Sequence, residues 1–336
     1  MTEGADPPVS VEESAPADSG ISVPWHRRRI RAEHVRDYGI LVVFASLFVA
    51  LSVGSSGFLT TNNLLNILYE NAPLGILACG VTLVIVAGNF DLSLGAMFAL
   101  TEVCATEAAI HWGAGFGLVV PLLAGAVLGL INGLLVTKLR INAFLATLAT
   151  SLAFGGAATA ISGGLLLQVT SSTFLALGRD SIGQVQYSVI VFVVLAVLLQ
   201  FVLGRTVFGR YCYGVGGNRE AARQSGLRVD RIAIATFMIA GVTAGIAGLI
   251  DASTTGSGSS TAGANYALTA IAAVALGGTS IFGGAGSVWR TVVGVLLLAL
   301  ITNGFDLLGV EAFYQDIVKG ALIVLAVSVG SLVERR

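Results

Sequence analysis

From residue 38 onward the chain is written in apolar runs close to the length a helix needs to cross a bilayer, about 20 residues for ~30 Å of hydrocarbon. Runs at 38–55, 63–87, 92–110, 116–137, 142–162, 187–205, 231–251, 267–283, 288–308 and 314–333 alternate with short polar interruptions. A backbone in lipid must satisfy its own polar groups, which such runs do as helices. The expectation is an all-α integral membrane protein, a polytopic bundle of about ten transmembrane helices. Composition agrees, with 55% hydrophobic and 11% charged residues and a mean hydropathy of +0.87. The 19 acids nearly balance the 18 lysines and arginines, so net charge points to no nucleic acid.

Charge placement orients the bundle. An even number of crossings puts both termini on one side, and all but two of the lysines and arginines, Arg179 and Lys319, then fall on that side. Cytoplasmic loops carry this excess, so both termini are expected in the cytoplasm. Residues 1–24 hold four of the six prolines and five acids without an apolar period, as a disordered cytoplasmic tail would. They lack the charged start and immediate apolar core of a cleaved signal. A basic juxtamembrane segment, 25–37, brings five arginines to the first run. The membrane domain is then 38–333, and 334–336 is a short cytoplasmic C-terminus.

Two stretches read poorly as plain crossings. GNFDLS (88–93) sets a carboxylate beside a glycine at a helix junction, and 267–283 is short and ends in glycine pairs. Broken or re-entrant helices survive in membranes where protein or a water-filled cavity satisfies the freed backbone. These segments, 88–110 and 267–283, are candidate walls of a pathway. A weak internal repeat aligns 125–148 with 294–318, matching Asn132-Gly133 to Asn303-Gly304; repeats of this kind are frequent in transporters, with the substrate site near their interface.

Intramembrane ionisable residues are costly and tend to mark substrate or ion routes. Asp91 is the sharpest such position, although a carboxylate there also suits a helix cap. With it, Asn89, Ser93, Asn132 and Asn303 form the candidate pathway set; Asn66, Asn71, Asn142 and Thr147 serve equally as glue between helices. Glu70, Glu102 and Glu107 motivate a rival reading, a carrier driven by an ion gradient. Three dispersed cysteines and three histidines offer neither a disulfide framework nor a metal-ligand spacing. A phosphate-binding loop needs GxxxxGK[ST], and neither Lys138 nor Lys319 stands in that context. The outer stretches 163–186 and 252–265, rich in Gly, Ser and Thr, read most simply as solvated connectors, with a landing surface for a soluble binding protein as the alternative.

The one extended polar segment after the tail is GRYCYGVGGNREAARQSGLRVDR, 209–231, with six arginines in it or at its edges. Within it Asn218 is placed to cap a helix of about two turns, Glu220 complements the dipole, Ala221 and Ala222 favour helix, and Gly226 terminates it. Small residues beside a carboxylate and arginines make a knob that a soluble partner could grip, or the segment is a solvated interhelical loop.

Glu220-Ala221-Ala222 followed after three residues by Gly226 resembles the EAA motif of ABC importer permeases. Its surroundings, GVGGNREAARQSGLRVDRI, are similar to the ribose, xylose and galactose type of sugar permease. AGNFDLSLGAMFAL resembles the segment that usually reads GGIDLSVGS there, with Asn89 and Phe90 departing from it. FLTTNNLLNILYENAPLGILACGVTLVIVAG and LTAIAAVALGGTSIFGGAGSV extend the likeness across most of 58–330. The resemblance implies the membrane-spanning permease subunit of an ATP-driven importer in a bacterial plasma (inner) membrane, carrying a monosaccharide or similar small polyol. It implies no cofactor in this chain, ATP being used by separate ATPase subunits docked at Asn218, Glu220, Ala221, Ala222 and Gly226. It also implies a soluble substrate-binding protein, a second permease copy or paralogue, and lipid as partners.

Overall fold

A computed structural model describes residues 25–321 and 324, with side chains from residue 39 onward. The expectations for 1–24, for the end of the last apolar run and for 334–336 lie outside these residues. The chain opens with α1 (Trp25–Gly54), so the basic segment and the first apolar run are one helix. Then come α2 (Thr61–Glu70), α3 (Ala72–Val86), α4 (Leu94–Trp112), α5 (Ala114–Thr137) and α6 (Ala143–Ser162). After strand β1 (Leu167–Gln168), helix α7 (Ser172–Arg179), and strands β2 (Ser181–Ile182) and β3 (Val185–Gln186), the chain returns through α8 (Tyr187–Arg205). Helices α9 (Val207–Gly217) and α10 (Arg219–Gln224) lead into α11 (Val229–Thr255), followed by β4 (Ser257–Gly258), α12 (Tyr266–Leu276) and α13 (Val288–Leu307). A further helical stretch covers 312–321.

Five of these helices, α5, α6, α8, α11 and α13, are long and apolar enough to cross a membrane, and α2 with α3 makes a sixth if that bent pair is one span. The protein is therefore a polytopic helical membrane protein. The remaining expected crossings fall on elements that are shorter or more polar. α4 has the length but carries Glu102 and Glu107, and α12 has 11 residues.

At the centre lies α3, buried along its whole length, as a helix apolar on every side must be. Helix α11 packs lengthwise on α5 through small residues at intervals of four. A Cβ at Gly129 would lie 2.8 Å from the Phe237 carbonyl carbon, and one at Gly241 would lie 2.9 Å from that of Gly125. Small residues allow this approach, which supplies van der Waals contact where no hydrophobic gain exists between helix and lipid.

Three expectations are corrected. The run 63–87 is not straight: it bends by 46° at Asn71, where Pro73 sits at the start of α3 and cannot continue the α2 ladder. The Asn71 side chain donates to the Ile67 carbonyl at 2.9 Å and so occupies one acceptor that the break frees. The polar segment 209–231 is narrower than it reads, because residues up to Gly217 belong to α9, which buries Gly209, Cys212 and Val215. The outer stretches are not loose connectors. β1 pairs with β4, the Gly178 amide donates to Ser253 Oγ at 2.7 Å, and Ser253 Oγ donates to the Phe174 carbonyl at 2.6 Å. Arg179 donates to the Thr254 and Thr255 carbonyls at the end of α11. The two segments form one knitted cover over that end of the bundle.

Candidate translocation and coupling site

Between α3 and α4 the chain leaves helical geometry at Gly88 (φ +76) and recovers it at Leu94. A break this deep needs partners for its free backbone groups, and the polar residues of the break and of the neighbouring helices supply them. Asp91, fully buried, accepts from the Ser93 amide at 2.9 Å and from Ser93 Oγ at 2.6 Å. The Asn132 amide, from α5, donates to Ser93 Oγ at 2.7 Å and reaches both Asp91 oxygens at 3.4 and 3.5 Å. Thr150, from α6, donates to Asn132 Oδ1 at 2.7 Å. Thr147 Oγ1 accepts from the Leu92 amide at 3.1 Å. Asn89, also buried, donates to the Ala87 carbonyl at 3.3 Å. Four residues proposed from sequence for the pathway, Asn89, Asp91, Ser93 and Asn132, thus meet at one junction, and the network locks that junction to α5 and α6.

Asn303 stands apart. It forms a reciprocal amide pair with Asn63, at 2.8 and 3.0 Å, joining α13 to α2. Sequence reasoning passed over Asn63 and Thr150; the asparagine cluster TNNLLN was the available signal for the first, and nothing distinguished Thr150 from its neighbours. Of the acids, Glu107 faces His111 one turn on at 3.0 Å, and Glu70 is exposed. Glu102 is 1% exposed. Its Oε1 accepts from the Ser259 amide at 3.1 Å, while its Oε2 has no hydrogen-bond partner among the described residues.

The α3–α4 junction touches the polar segment through glycine backbone. A Cβ at Gly283 (φ +91) would sit 2.7 Å from Gly88 Cα, and one at Gly284 (φ +73) would sit 2.7 Å from Gly217 Cα. Only glycine admits both the conformation and the approach. The Gly284 amide donates to the Val86 carbonyl at 2.9 Å, and Tyr213 Oη donates to the Gly286 carbonyl at 2.7 Å. Three chain segments, the end of α3, the end of α9 and the irregular stretch 277–287, therefore meet at one node.

One residue beyond that node, Asn218 caps α10: its side chain accepts from the Ala221 amide at 2.9 Å. Gly226 follows the helix at φ +82 in open space. Glu220 and Ala221 are exposed, whereas Ala222 is buried against Val215, Leu227, Val229 and Ile232. The two alanines thus divide between faces, as consecutive helical residues do. Ala221 lies on the outer surface, and Ala222 anchors the helix to the bundle.

A buried helical body, broken at a polar junction that glycines join to an exposed short helix, defines a multi-pass helical membrane protein. Residues 63–327 match the family described as the branched-chain amino acid transport system permease component. The ribose import permease protein RbsC of Escherichia coli strain K12 is 38% identical over 295 residues, spanning 86% of this chain and 92% of its own. RbsC of Bacillus subtilis strain 168 is 39% identical over 84% of this chain and 88% of its own. The L-arabinose ABC transporter permease protein AraH of Azospirillum brasilense is 33% identical over 94% of each. No solved structure matches. The chain belongs to this family of transport-system permease components.

Proposed function

We propose that the protein is the membrane-spanning subunit of an ATP-driven ABC importer for a monosaccharide or similar small polyol in a bacterial plasma membrane. Its bundle makes about ten crossings, with both termini cytoplasmic. Relatives named for ribose and L-arabinose support the substrate class. The observation that carries the coupling role is the capped, solvent-facing α10, held one residue from the glycine node. ATPase subunits grip Glu220, Ala221 and the turn at Gly226 on its outer surface. Their closure displaces α10, and the node passes that displacement to the stretch 277–287 and the end of α3. The ATPases bind and hydrolyse the nucleotide, a soluble binding protein lands on the knitted outer cover, and a second copy or paralogue completes the pathway.

Glu220→Arg reverses the exposed charge and Gly226→Trp places a bulky side chain at the turn. Both are expected to abolish co-purification of the ATPase and ATP-dependent sugar uptake in vesicles; retention of both would refute the docking role. One observation favours a second reading, ion-coupled transport: the Oε2 of buried Glu102, which has no hydrogen-bond partner among the described residues. That reading requires uptake without any ATPase and its loss when the ion gradient is collapsed.

A further inference from the structure

A cavity of about 820 Å³ lies where the α5–α6 turn faces α10 and residues 88–90 of the α3–α4 junction. Its wall carries Lys138, Arg140, Arg219 and Arg223 against a single acid, Asp230. Arg219 spends part of its charge on Asp230 at 3.5 Å, and Arg223 lies 3.9 Å from Glu220. Lys138 and Arg140 meet no acid at ion-pair distance among the described residues. Arg140 is also the one non-glycine residue there with positive φ, +56, a conformation that normally falls to glycine or asparagine at a helix end. The turn around it is fixed: the Ile141 amide donates to the Leu135 carbonyl, and Asn142 caps α6 by accepting from the Phe144 amide at 2.9 Å. An arginine at positive φ, a conformation that costs it free energy and would not cost a glycine, lines this basic cavity from a well-held turn.

The surroundings of the cavity select its ligand. Phe144 lines the cavity and is exposed, and Leu139, Leu145 and Leu148, near it in sequence, are exposed as well; Phe144, Leu145 and Leu148 lie on α6, a helix of bilayer-spanning length. A basic recess whose wall includes the start of α6, a helix that carries further exposed apolar residues, suits a molecule with an anionic head and apolar tails. An acidic protein segment would fill the recess but leave those apolar residues unexplained. We propose that this cavity binds the phosphate headgroup of one anionic glycerophospholipid, whose acyl chains lie along α6. Basic pockets on the cytoplasmic side of membrane helices suit such headgroups. The natural leaflet of the lipid rests on the sidedness proposed above, whereas binding in detergent does not.

The test uses the full-length chain in non-ionic detergent, with native mass spectrometry counting lipid retained from equimolar phosphatidylglycerol and phosphatidylcholine. One phosphatidylglycerol per chain is expected in preference to phosphatidylcholine. The double substitution Lys138→Gln, Arg140→Gln is expected to weaken its retention about thirty-fold, from roughly fivefold to sixfold for each cation near the headgroup. The charge-keeping pair Lys138→Arg, Arg140→Lys should retain it, and Arg179→Gln on the opposite face should have no effect. Arg223→Gln provides a milder variant, and the thermal midpoint of each protein identifies any that misfold. Equal retention by the double variant, or no preference between the two lipids, overturns the proposal. Displacement by free glycerol phosphate at lipid-like concentration also overturns it, in favour of a soluble phosphate. Unchanged lipid retention with loss of ATPase association overturns it in favour of an acidic protein face.

Discussion

Replacing Gly283 by alanine isolates the contact that joins the polar segment to the buried junction. The new Cβ would lie 2.7 Å from Gly88 Cα, 2.9 Å from Gly88 N and 3.0 Å from Gly216 O. Favourable carbon contacts begin near ~3.5 Å, so relief requires a movement of about 0.8 Å. All three neighbours are backbone atoms, so no rotamer change can yield. Overpacking of this kind costs about 1–3 kcal/mol, and a left-handed φ of +91 adds about 1–2 kcal/mol for an L-residue. Gly163→Ala is the control, since its φ is +62 but nothing lies within 4 Å; it should lose only the conformational part. The difference, about 1–3 kcal/mol, corresponds to a few degrees in the unfolding midpoint. A fluorogenic maleimide can read that midpoint, because Cys79 and Cys212 are buried and become reactive as the bundle opens. A midpoint for Gly283→Ala no lower than that for Gly163→Ala would refute the close-packed node.

Three further outcomes are expected. Asn218→Ala removes the 2.9 Å cap of α10 and costs about 1 kcal/mol locally; amide exchange across 219–224 should accelerate while the global midpoint stays nearly fixed. A double-mutant cycle on Asn63→Ala and Asn303→Ala should give a coupling energy of about 0.6 kcal/mol, up to ~1.7, the range for hydrogen bonds between membrane helices, measured as midpoints of the three variants and the parent. Asn132→Leu strips Asp91 and Ser93 of their α5 donor and Thr150 of an acceptor. It should destabilise by about 2–5 kcal/mol, and an unchanged midpoint in the same assay would show that the junction does not depend on this network.

The sequence makes the bilayer legible because hydrocarbon thickness sets helix length. Runs at 116–137, 142–162 and 187–205 therefore lie within two residues of the ends of α5, α6 and α8. What it hides are features decided by packing. The stretch RYCYGVGG has poor intrinsic helix propensity and reads as loop, yet burial of Cys212 and Val215 makes it helix. Asn71 and Pro73 carried a break signal inside an otherwise continuous apolar run, whose hydropathy masked it. At the site, Asp91 and the cap at Asn218 stood out by residue type. Their connection through Gly88, Gly217, Gly283 and Gly284 did not, because a glycine pair in a membrane protein reads equally as helix contact, as hinge or as turn.

These two uses of glycine bear on where the bundle can yield. Along α5 and α11 the glycines lie within regular helices, and their contacts tie long rigid bodies together. The Asp91 network adds the α3–α4 junction to the same body through Asn132 and Thr150. At the node, by contrast, residues 277–287 form no helix or strand and are held to α3 and α9 by two hydrogen bonds, from Gly284 and Tyr213. Under the proposed coupling, a push on α10 displaces 277–287 and the end of α3 more than the Asp91–Ser93 part of the junction, which Asn132 and Thr150 hold to α5 and α6. Phe282, 69% exposed within that stretch, is a suitable reporter site. Phe282→Cys in a background with the native cysteines replaced should change its maleimide labelling rate severalfold when nucleotide closes the ATPases, while Leu148→Cys on α6 stays constant. Equal changes at the two positions would mean that the bundle moves as a whole, and the node would then be packing alone.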